Sequence, residues 1–306
     1  MRKSSAALLS IFSNTTLIII KIGAYLLTGS ISVLSEAVHS GMDLFAAIIA
    51  FYSVRKAESP ADREHPYGHG KYENLSGLIE GALIILAALL ILYEAFKKAI
   101  EGFQIQLPEI AMATMAISAI VNLIISSMLM RIAKKTDSLA LEADARHLRV
   151  DVYSSAGVFV GLLIISLTGY HVLDSVFAGL ITIIIFYEGY IITRKSIEGL
   201  LDSSLPPDEL ELIKEAIDKY SDRIKDFHSL RTRKSGSERH IDLHITVCRD
   251  EKIVFTHETM DEIERELKKR LPNVKIIIHP EPCTHYSDKC PADCYWEDLK
   301  KKLKNQ

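Results

Sequence analysis

The chain has 306 residues, of which 48% are hydrophobic and 25% are charged, and its formal net charge is -3. This balance lacks the strongly basic character of nucleic-acid-binding proteins, so we expect no nucleic-acid partner. The hydrophobic content suits a membrane domain of several spans joined to a soluble domain. The cysteines all lie in the polar C-terminal third and suggest no secreted disulfide framework; they are Cys248, Cys283, Cys290 and Cys294.

Six apolar runs are each long enough to cross a bilayer as a helix, which requires about 20 residues. The first run carries no cleavage site of the signal-peptide type, and we interpret it as an uncleaved helix. In the third run, Gly77 and Gly81 have the four-residue spacing that lets helix backbones approach closely. The predicted spans lie near residues 6–28, 31–55, 75–97, 108–132, 146–168 and 172–195.

The distribution of basic residues predicts the orientation in the membrane. The loops after the second, fourth and sixth spans are rich in lysine and arginine, whereas the first and fifth loops have neither. Because basic loops stay in the cytoplasm, we expect a multi-pass protein of the plasma or inner membrane with both termini cytoplasmic. Two more charges fall within spans. We expect Lys21 to extend toward the membrane surface and Glu80 to line a polar cavity or pair across the bundle, neither being a metal ligand.

The polar sequence after the sixth span predicts a small α+β domain with helices on one face of a sheet. A helix to about Tyr220 is followed by two strands that flank the turn at Gly236, and in the second strand His244 points away from the core. A helix to about Leu271 and a strand VKIIIHPEP complete the domain. The predicted domains are 1–200 with six transmembrane helices, 201–282 with the α+β fold, and 283–306 as a cysteine-containing tail.

A histidine and an aspartate four residues apart occur together in two of the apolar helices. His39 and Asp43 form one pair, and His147 and Asp151 form the other. Residues four apart share one face of a helix, so two adjacent helices would offer two nitrogens and two oxygens to a tetrahedral metal. A single pair could equally be a structural hydrogen bond, but intramembrane ionisable groups are functional candidates, and the repetition favours a metal site.

The loop after the second span, PADREHPYGHGKYE, contains Asp62, His65 and His69 within eight residues. Histidine and carboxylate together form a zinc-competent ligand set. The alternative is a solvated polar loop without a bound ion. Lys71 could pair with an acidic residue beyond the sixth span.

The soluble domain has several histidines that are candidates for further metal ligands. Taken singly they are ordinary surface residues, whereas their concentration favours metal binding; they are His228, His240, His244, His257 and His279, with Glu281 two residues after the last. Cys283, His285, Cys290 and Cys294 could hold a soft metal. They match no common zinc module, so reduced cytosolic thiols remain the alternative, and their role stays open.

These residues together resemble the cation diffusion facilitator family over nearly the whole chain. The resemblance rests on the paired HxxxD motifs, the loop HPYGHGKYE, and the segments DFHSLRTRKSG and IIIHPEPC. It implies six transmembrane helices, a metallochaperone-like, ferredoxin-like cytoplasmic domain, and a homodimer.

The resemblance also implies roles for individual residues. His39, Asp43, His147 and Asp151 match the transport site, whose two histidines and two aspartates resemble zinc and iron transporters more than manganese ones. Asp62, His65 and His69 match the loop site. A binuclear dimer-interface site is matched by His228, His244, His257, His279 and Glu281, the last of which stands where the better-known pattern has aspartate. Lys71 and Asp202 match a charge interlock between subunits.

The sequence therefore predicts a secondary transporter and not an enzyme. Zinc, or iron, cadmium or cobalt, would be exported from the cytoplasm in exchange for protons, since metal and protons compete for the same ligands. The metal would act as both substrate and regulator. A membrane-anchored metal sensor is the alternative, although an anchor needs no intramembrane His-Asp pairs. A passive channel would need weaker sites than four strong ligands provide.

Overall fold

The computed structural model describes residues 3–28, 31–101, 109–168 and 172–283. His285, Cys290 and Cys294, and with them nearly all of the predicted tail, lie outside these described residues. The chain divides into two compact units between Leu201 and Asp202.

The first unit is a bundle of six long helices that follow the six predicted apolar runs. They are α1 (Lys3–Thr28), α2 (Ile31–Ala57), α3 (Lys71–Glu101), α4 (Glu109–Thr136), α5 (Leu139–Thr168) and α6 (Val172–Leu200). Within the described residues, stretches of α1, α2, α3 and α4 are long and apolar enough to cross a membrane. The helical membrane bundle is thus confirmed, and spanning by α5 and α6 stays a prediction.

Close packing of α3 against α6 depends on glycines, as the spacing of Gly77 and Gly81 predicts. A Cβ atom added at Gly81 would lie 2.9 Å from the backbone nitrogen of Thr193 and 3.2 Å from the carbonyl oxygen of Gly189. One added at Gly77 would lie 2.6 Å from the Ser196 hydroxyl. No side chain fits at these contacts without moving the helices apart.

Lys21 is buried within the bundle instead of extending toward the membrane surface. Its side chain is 4% exposed, and Nζ donates a hydrogen bond to the Ser40 hydroxyl at 2.8 Å. The expectation for Lys21 was therefore wrong. Ser40 on the neighbouring helix α2 supplies a polar partner for Lys21 in the interior.

The second unit has the predicted order of one helix, two strands, a helix and a strand. The elements are α7 (Pro207–Asp218), β1 (Asp226–Ser235), β2 (Glu238–Val247), α8 (Ile253–Arg270) and β3 (Val274–Pro282). The sheet has the order β1-β2-β3, with β1 antiparallel and β3 parallel to β2. Gly236 supplies the positive φ of 58° that the turn between β1 and β2 requires.

The core of this unit lies between one sheet face and the two helices. Ile241, Leu243 and Ile245 of β2 are buried with Ile213 of α7 and Ile263 of α8. This alternation leaves His244 on the other face, where it is half-buried. The α+β fold is confirmed, and the sheet face opposite the helices carries His244.

Candidate metal centre

The two His-Asp pairs of the helical bundle meet where α2 contacts α5. His147 Nε2 lies 3.2 Å from Asp43 Oδ1, and His39 Nε2 lies 3.5 Å from Asp151 Oδ1. Within α2, His39 Nε2 lies 3.9 Å from Asp43 Oδ1. The helical spacing therefore brings all four predicted side chains together, with each imidazole facing the carboxylate of the other helix.

These separations suit a tetrahedral ion. Ligand bonds of about 2.0 Å place neighbouring ligand atoms about 3.3 Å apart in a tetrahedron. One ligand atom each from His39, Asp43 and Asp151 already lies within 4.8 Å of the other two. His147 Nδ1 is buried and has no hydrogen-bond partner. Three of the four side chains could therefore share a cation as they stand, and His147 Nε2 contacts this group at Asp43.

Neighbouring helices donate hydrogen bonds to both aspartates of this cluster, to the carboxylate of Asp151 and to the backbone of Asp43. Asn122 of α4 donates from Nδ2 to Asp151 Oδ2 at 3.2 Å, and Asn14 of α1 donates to the Asp43 carbonyl oxygen at 3.4 Å. Sequence reasoning missed both asparagines. The sequence signal for each was an uncharged polar residue inside an apolar run. This signal is weak, because such residues also serve helix packing.

The second cluster lies in the loop between α2 and α3. His69 Nε2 lies 3.2 Å from Asp62 Oδ2, and His65 Nδ1 lies 3.4 Å from Asp62 Oδ1. His69 is 3% exposed, and neither of its ring nitrogens has a partner with hydrogen-bond geometry. Buried imidazole nitrogens normally have partners. This orphaned ring is more consistent with a metal site than with a solvated loop.

The loop backbone fixes the Asp62 carboxylate. The backbone N–H groups of His65 and Glu64 donate to Asp62 Oδ1 at 2.7 and 3.0 Å. The hydrogen bond from His65 holds the pKa of Asp62 below its ordinary value, and the charge of His69 adds to this effect. Asp62 is therefore ionised at neutral pH, as a metal ligand would have to be.

The third cluster lies on the sheet face opposite the helices, where the strand register aligns its residues. His244 on β2 lies opposite His228 on β1 and opposite His279 on β3. The ring centroids are 5.4 Å apart for His228 and His244, and 4.9 Å apart for His244 and His279. Three histidines distant in sequence thus form a row across the sheet.

Glu281 bridges two members of this row. Its Oε1 lies 2.8 Å from His244 Nδ1, and its Oε2 lies 3.2 Å from His228 Nε2. The hydrogen bond with His244 holds the pKa of Glu281 below its ordinary value, and the charge of His228 adds to this effect. His257 is placed elsewhere, on α8, with Nδ1 3.3 Å from Asp261 Oδ1. Its predicted role at a dimer interface stays a prediction.

The remaining candidates are placed as follows. Lys71 Nζ donates to the Leu200 carbonyl oxygen at 3.2 Å, and Asp202 accepts from Arg233 Nη1 at 3.3 Å. Their interlock between subunits stays a prediction. Cys248 is half-buried and Cys283 is buried. His240 lies outside the histidine row, and burial, then the charge of Arg233, lowers its pKa.

Two family models match the chain. The first, the cation efflux transmembrane domain, matches residues 7–201. The second, the cytoplasmic domain of cation efflux proteins, matches residues 205–283.

Relatives match along most of their length. The transporter sll1263 of Synechocystis is 35% identical over 276 residues, which cover 90% of this chain and 89% of that one. The cation-efflux pump FieF of Pectobacterium carotovorum is 34% identical, covering 87% and 88%. A solved chain of CzrB in its zinc form is 30% identical, with a TM-score of 0.26, and covers 29% of this chain and 99% of that one.

The helical bundle and the α+β domain, each with candidate metal clusters, define a multi-pass membrane transporter of divalent metals and not an enzyme. The chain belongs to the cation efflux family, whose members are the cation diffusion facilitators that its motifs resemble. Membership supports metal ions as substrates and a homodimer as the assembly.

Proposed function

We propose that the protein exports zinc from the cytoplasm in exchange for protons, with His39, Asp43, His147 and Asp151 as the transport ligands. The observation that carries the proposal is the approach of α2 to α5 inside a membrane bundle, which sets His147 3.2 Å from Asp43 and His39 3.5 Å from Asp151. Zinc readily accepts such nitrogen and oxygen ligands. Iron, cadmium and cobalt are the competing substrates, since intrinsic affinity alone separates these metals poorly.

Proton coupling follows from the chemistry of the ligands. A metal ion requires neutral histidine and ionised aspartate, so binding releases protons and acidification releases metal. When the site faces outward, protons displace the ion. When it faces the cytoplasm, deprotonation allows another ion to bind. Alternating exposure requires the helices that carry the ligands to rock against the rest of the bundle.

The other two clusters have supporting roles in this proposal. Asp62, His65 and His69 form a loop site near the cytoplasmic surface. The site with His228, His244, His257, His279 and Glu281 binds regulatory metal at the interface of a homodimer, and both termini are cytoplasmic. Metal there draws the two domains together, while Lys71 and Asp202 hold the subunits near the membrane. The resulting bias cannot exceed the difference in metal affinity between the two states.

The test is metal uptake into proteoliposomes, with and without a pH gradient, for zinc, iron, cadmium, cobalt and manganese. Asp151→Ala removes one ligand and one titrating group, so we expect nearly complete loss of uptake with the fold retained. Glu198→Ala is the matched control, because Glu198 is an exposed carboxylate paired with Arg194 on α6. Zinc uptake by Asp151→Ala equal to that of the control would contradict the site.

The same assay separates the exporter from its alternatives. An exporter takes up metal faster when the pH gradient drives protons the opposite way. A passive channel takes up metal without responding to the gradient, and a membrane-anchored sensor gives no uptake. Either of these last two results would refute the proposal.

A further inference from the structure

Two carboxyl groups that no predicted metal site includes are buried in the bundle. Glu80 of α3 is 0% exposed and Asp144 of α5 is 2% exposed. Each has one oxygen bound by a serine: Ser76 donates to Glu80 Oε1 at 3.2 Å, and Ser10 donates to Asp144 Oδ1 at 3.1 Å. The other oxygens, Glu80 Oε2 and Asp144 Oδ2, are buried and have no hydrogen-bond partner among the described residues.

The two groups cannot both be stable as bare carboxylates. Helix α3 packs against α5 on both sides of them: a Cβ added at Gly77 would lie 3.4 Å from Leu139 Cγ, and Ile84 is buried in one cluster with Val150. The two carboxyl groups lie between these contacts on their helices and so share one level of the bundle, and the serines that bind them are neutral. A buried charge without a compensating partner is costly, and the group takes up a proton instead. Like charges that share a site also titrate as one unit, so that one proton is held strongly by the pair.

We propose that Glu80 and Asp144 form a proton-binding site separate from the metal ligands. It holds an exchangeable proton that is released and recovered during transport. This inference rests on the proton coupling of the proposed function, and it adds a place where a proton can reside while the metal occupies the transport ligands.

The position of Asp144 connects this carboxyl pair to the transport site. Asp144 precedes His147 by three residues on α5, which is nearly one helical turn. It interacts electrostatically with His147, Asp43 and Asp151. A negative charge on the pair therefore attracts a metal ion at the transport site, and a proton on the pair weakens that attraction. Proton occupancy and metal affinity are coupled through space.

The neighbouring helices present hydroxyl groups and a negative charge to this carboxyl pair, which favours a proton as its partner. Helix α1 contributes the Ser10 hydroxyl, and α2 contributes the negative charge of Asp43. Helix α6, which packs against α3, presents the hydroxyls of Thr193 and Ser196 beside Gly81 and Gly77. On α6, Glu188 is paired with Arg146 of α5.

The first test is infrared difference spectroscopy of the purified full-length protein between neutral and alkaline pH, where exposed carboxyl groups stay ionised. The carbonyl stretch of a protonated carboxyl group reports the pair directly. We expect this band in the wild type, its loss or a shift in Glu80→Gln and in Asp144→Asn, and its unchanged retention in Glu198→Gln. If Glu80→Gln fails to fold, Glu80→Asp serves instead and should shift the band. Spectra of these variants identical to the wild type would overturn the proposal.

The second test compares bound zinc with proton counterflow in proteoliposomes. At saturating zinc we expect Glu80→Gln to bind as many zinc ions per chain as the wild type while moving fewer protons per zinc ion. Less bound zinc with an unchanged carboxyl band would mean that the pair holds a cation, and would refute the proton site. Failure of the proposed function would give a different result, because zinc uptake by the wild type would then not respond to the pH gradient.

Discussion

Asn122 and Asp151 are joined across α4 and α5 by a hydrogen bond of 3.2 Å from Nδ2 to Oδ2. This bond occupies one oxygen of the carboxylate and leaves the other, Oδ1, directed at His39 Nε2 at 3.5 Å. A partner of this kind fixes the orientation of a ligand before the metal arrives. Asn122 is 5% exposed, so water does not readily replace it.

We therefore predict that Asn122→Leu weakens zinc binding at the transport site. Loss of such a supporting contact typically reduces metal affinity by about 10- to 100-fold. The measurement is calorimetric titration of the full-length protein with zinc. Ser126→Ala is the control, because Ser126 is buried on the same helix but donates to the Leu123 carbonyl oxygen. Equal affinities for the two variants would show that Asn122 only packs the helices.

The loop cluster leads to a second prediction, on His69. Among the described residues its buried ring nitrogens have no hydrogen-bond partner, so replacing it with phenylalanine removes a proposed ligand and the 3.2 Å contact of Nε2 with Asp62 Oδ2, which lacks hydrogen-bond geometry. We expect His69→Phe to lose the loop ion and to retain its thermal stability in the absence of metal. The measurements are zinc content after equilibrium dialysis and the midpoint of thermal unfolding in EDTA.

Tyr72→Phe is the control for His69→Phe. Tyr72 lies one turn further along, with its ring centroid 6.0 Å from that of His69, and it carries no predicted ligand. Unchanged zinc content in His69→Phe would contradict the loop site. A large loss of stability in EDTA would show that His69 is a structural residue.

A third prediction concerns the acid stability of the C-terminal domain. The pKa of Glu281 is lowered from its model-compound value of 4.5 by the hydrogen bond with His244, then by the charge of His228. A carboxyl group with a lowered pKa stabilises the folded state above its unfolded-state pKa, and this stabilisation is lost as the pH falls through the folded-state pKa. The affected pH range therefore lies below 4.5.

The measurement is the unfolding of metal-free full-length protein as a function of pH. We expect Glu281→Gln to be less stable than the wild type above pH 4.5, with the difference shrinking on further acidification. Glu238→Gln on the same sheet is the control, since Glu238 pairs with Lys275 instead of a histidine. A stability difference that stays constant down to strongly acidic pH would contradict the assigned linkage.

The sequence predicts most of the transport site because its geometry is local. The spacing of His39 and Asp43 determines that both face one side of α2, and the same holds for His147 and Asp151. The pairing of α2 with α5 follows only from the family resemblance. Asn122 could not be assigned, because its contact with α5 depends on tertiary packing.

The C-terminal site shows the same limit for a sheet. Alternation along β2 predicts that His244 leaves the core face. Its position opposite His279 depends on the parallel register of β3, which spacing within one strand does not encode. The position of Glu80 near Asp144 likewise depends on the packing of α3 against α5. The sequence marks Glu80 as an unusual charge without identifying its neighbour.

The fourth prediction is that Gly81→Ala destabilises the bundle. The added Cβ would lie 2.9 Å from the Thr193 backbone nitrogen, so α3 and α6 must separate. Overpacking of this kind costs about 1–3 kcal/mol. Gly23→Ala and Gly179→Ala are the controls, because a Cβ at either position meets nothing within 4 Å. We expect thermal unfolding of the full-length protein at a lower temperature for Gly81→Ala alone. Equal unfolding temperatures for the three variants would show that α3 and α6 can accommodate a methyl group at this contact. The four-residue glycine spacing would then have no packing role.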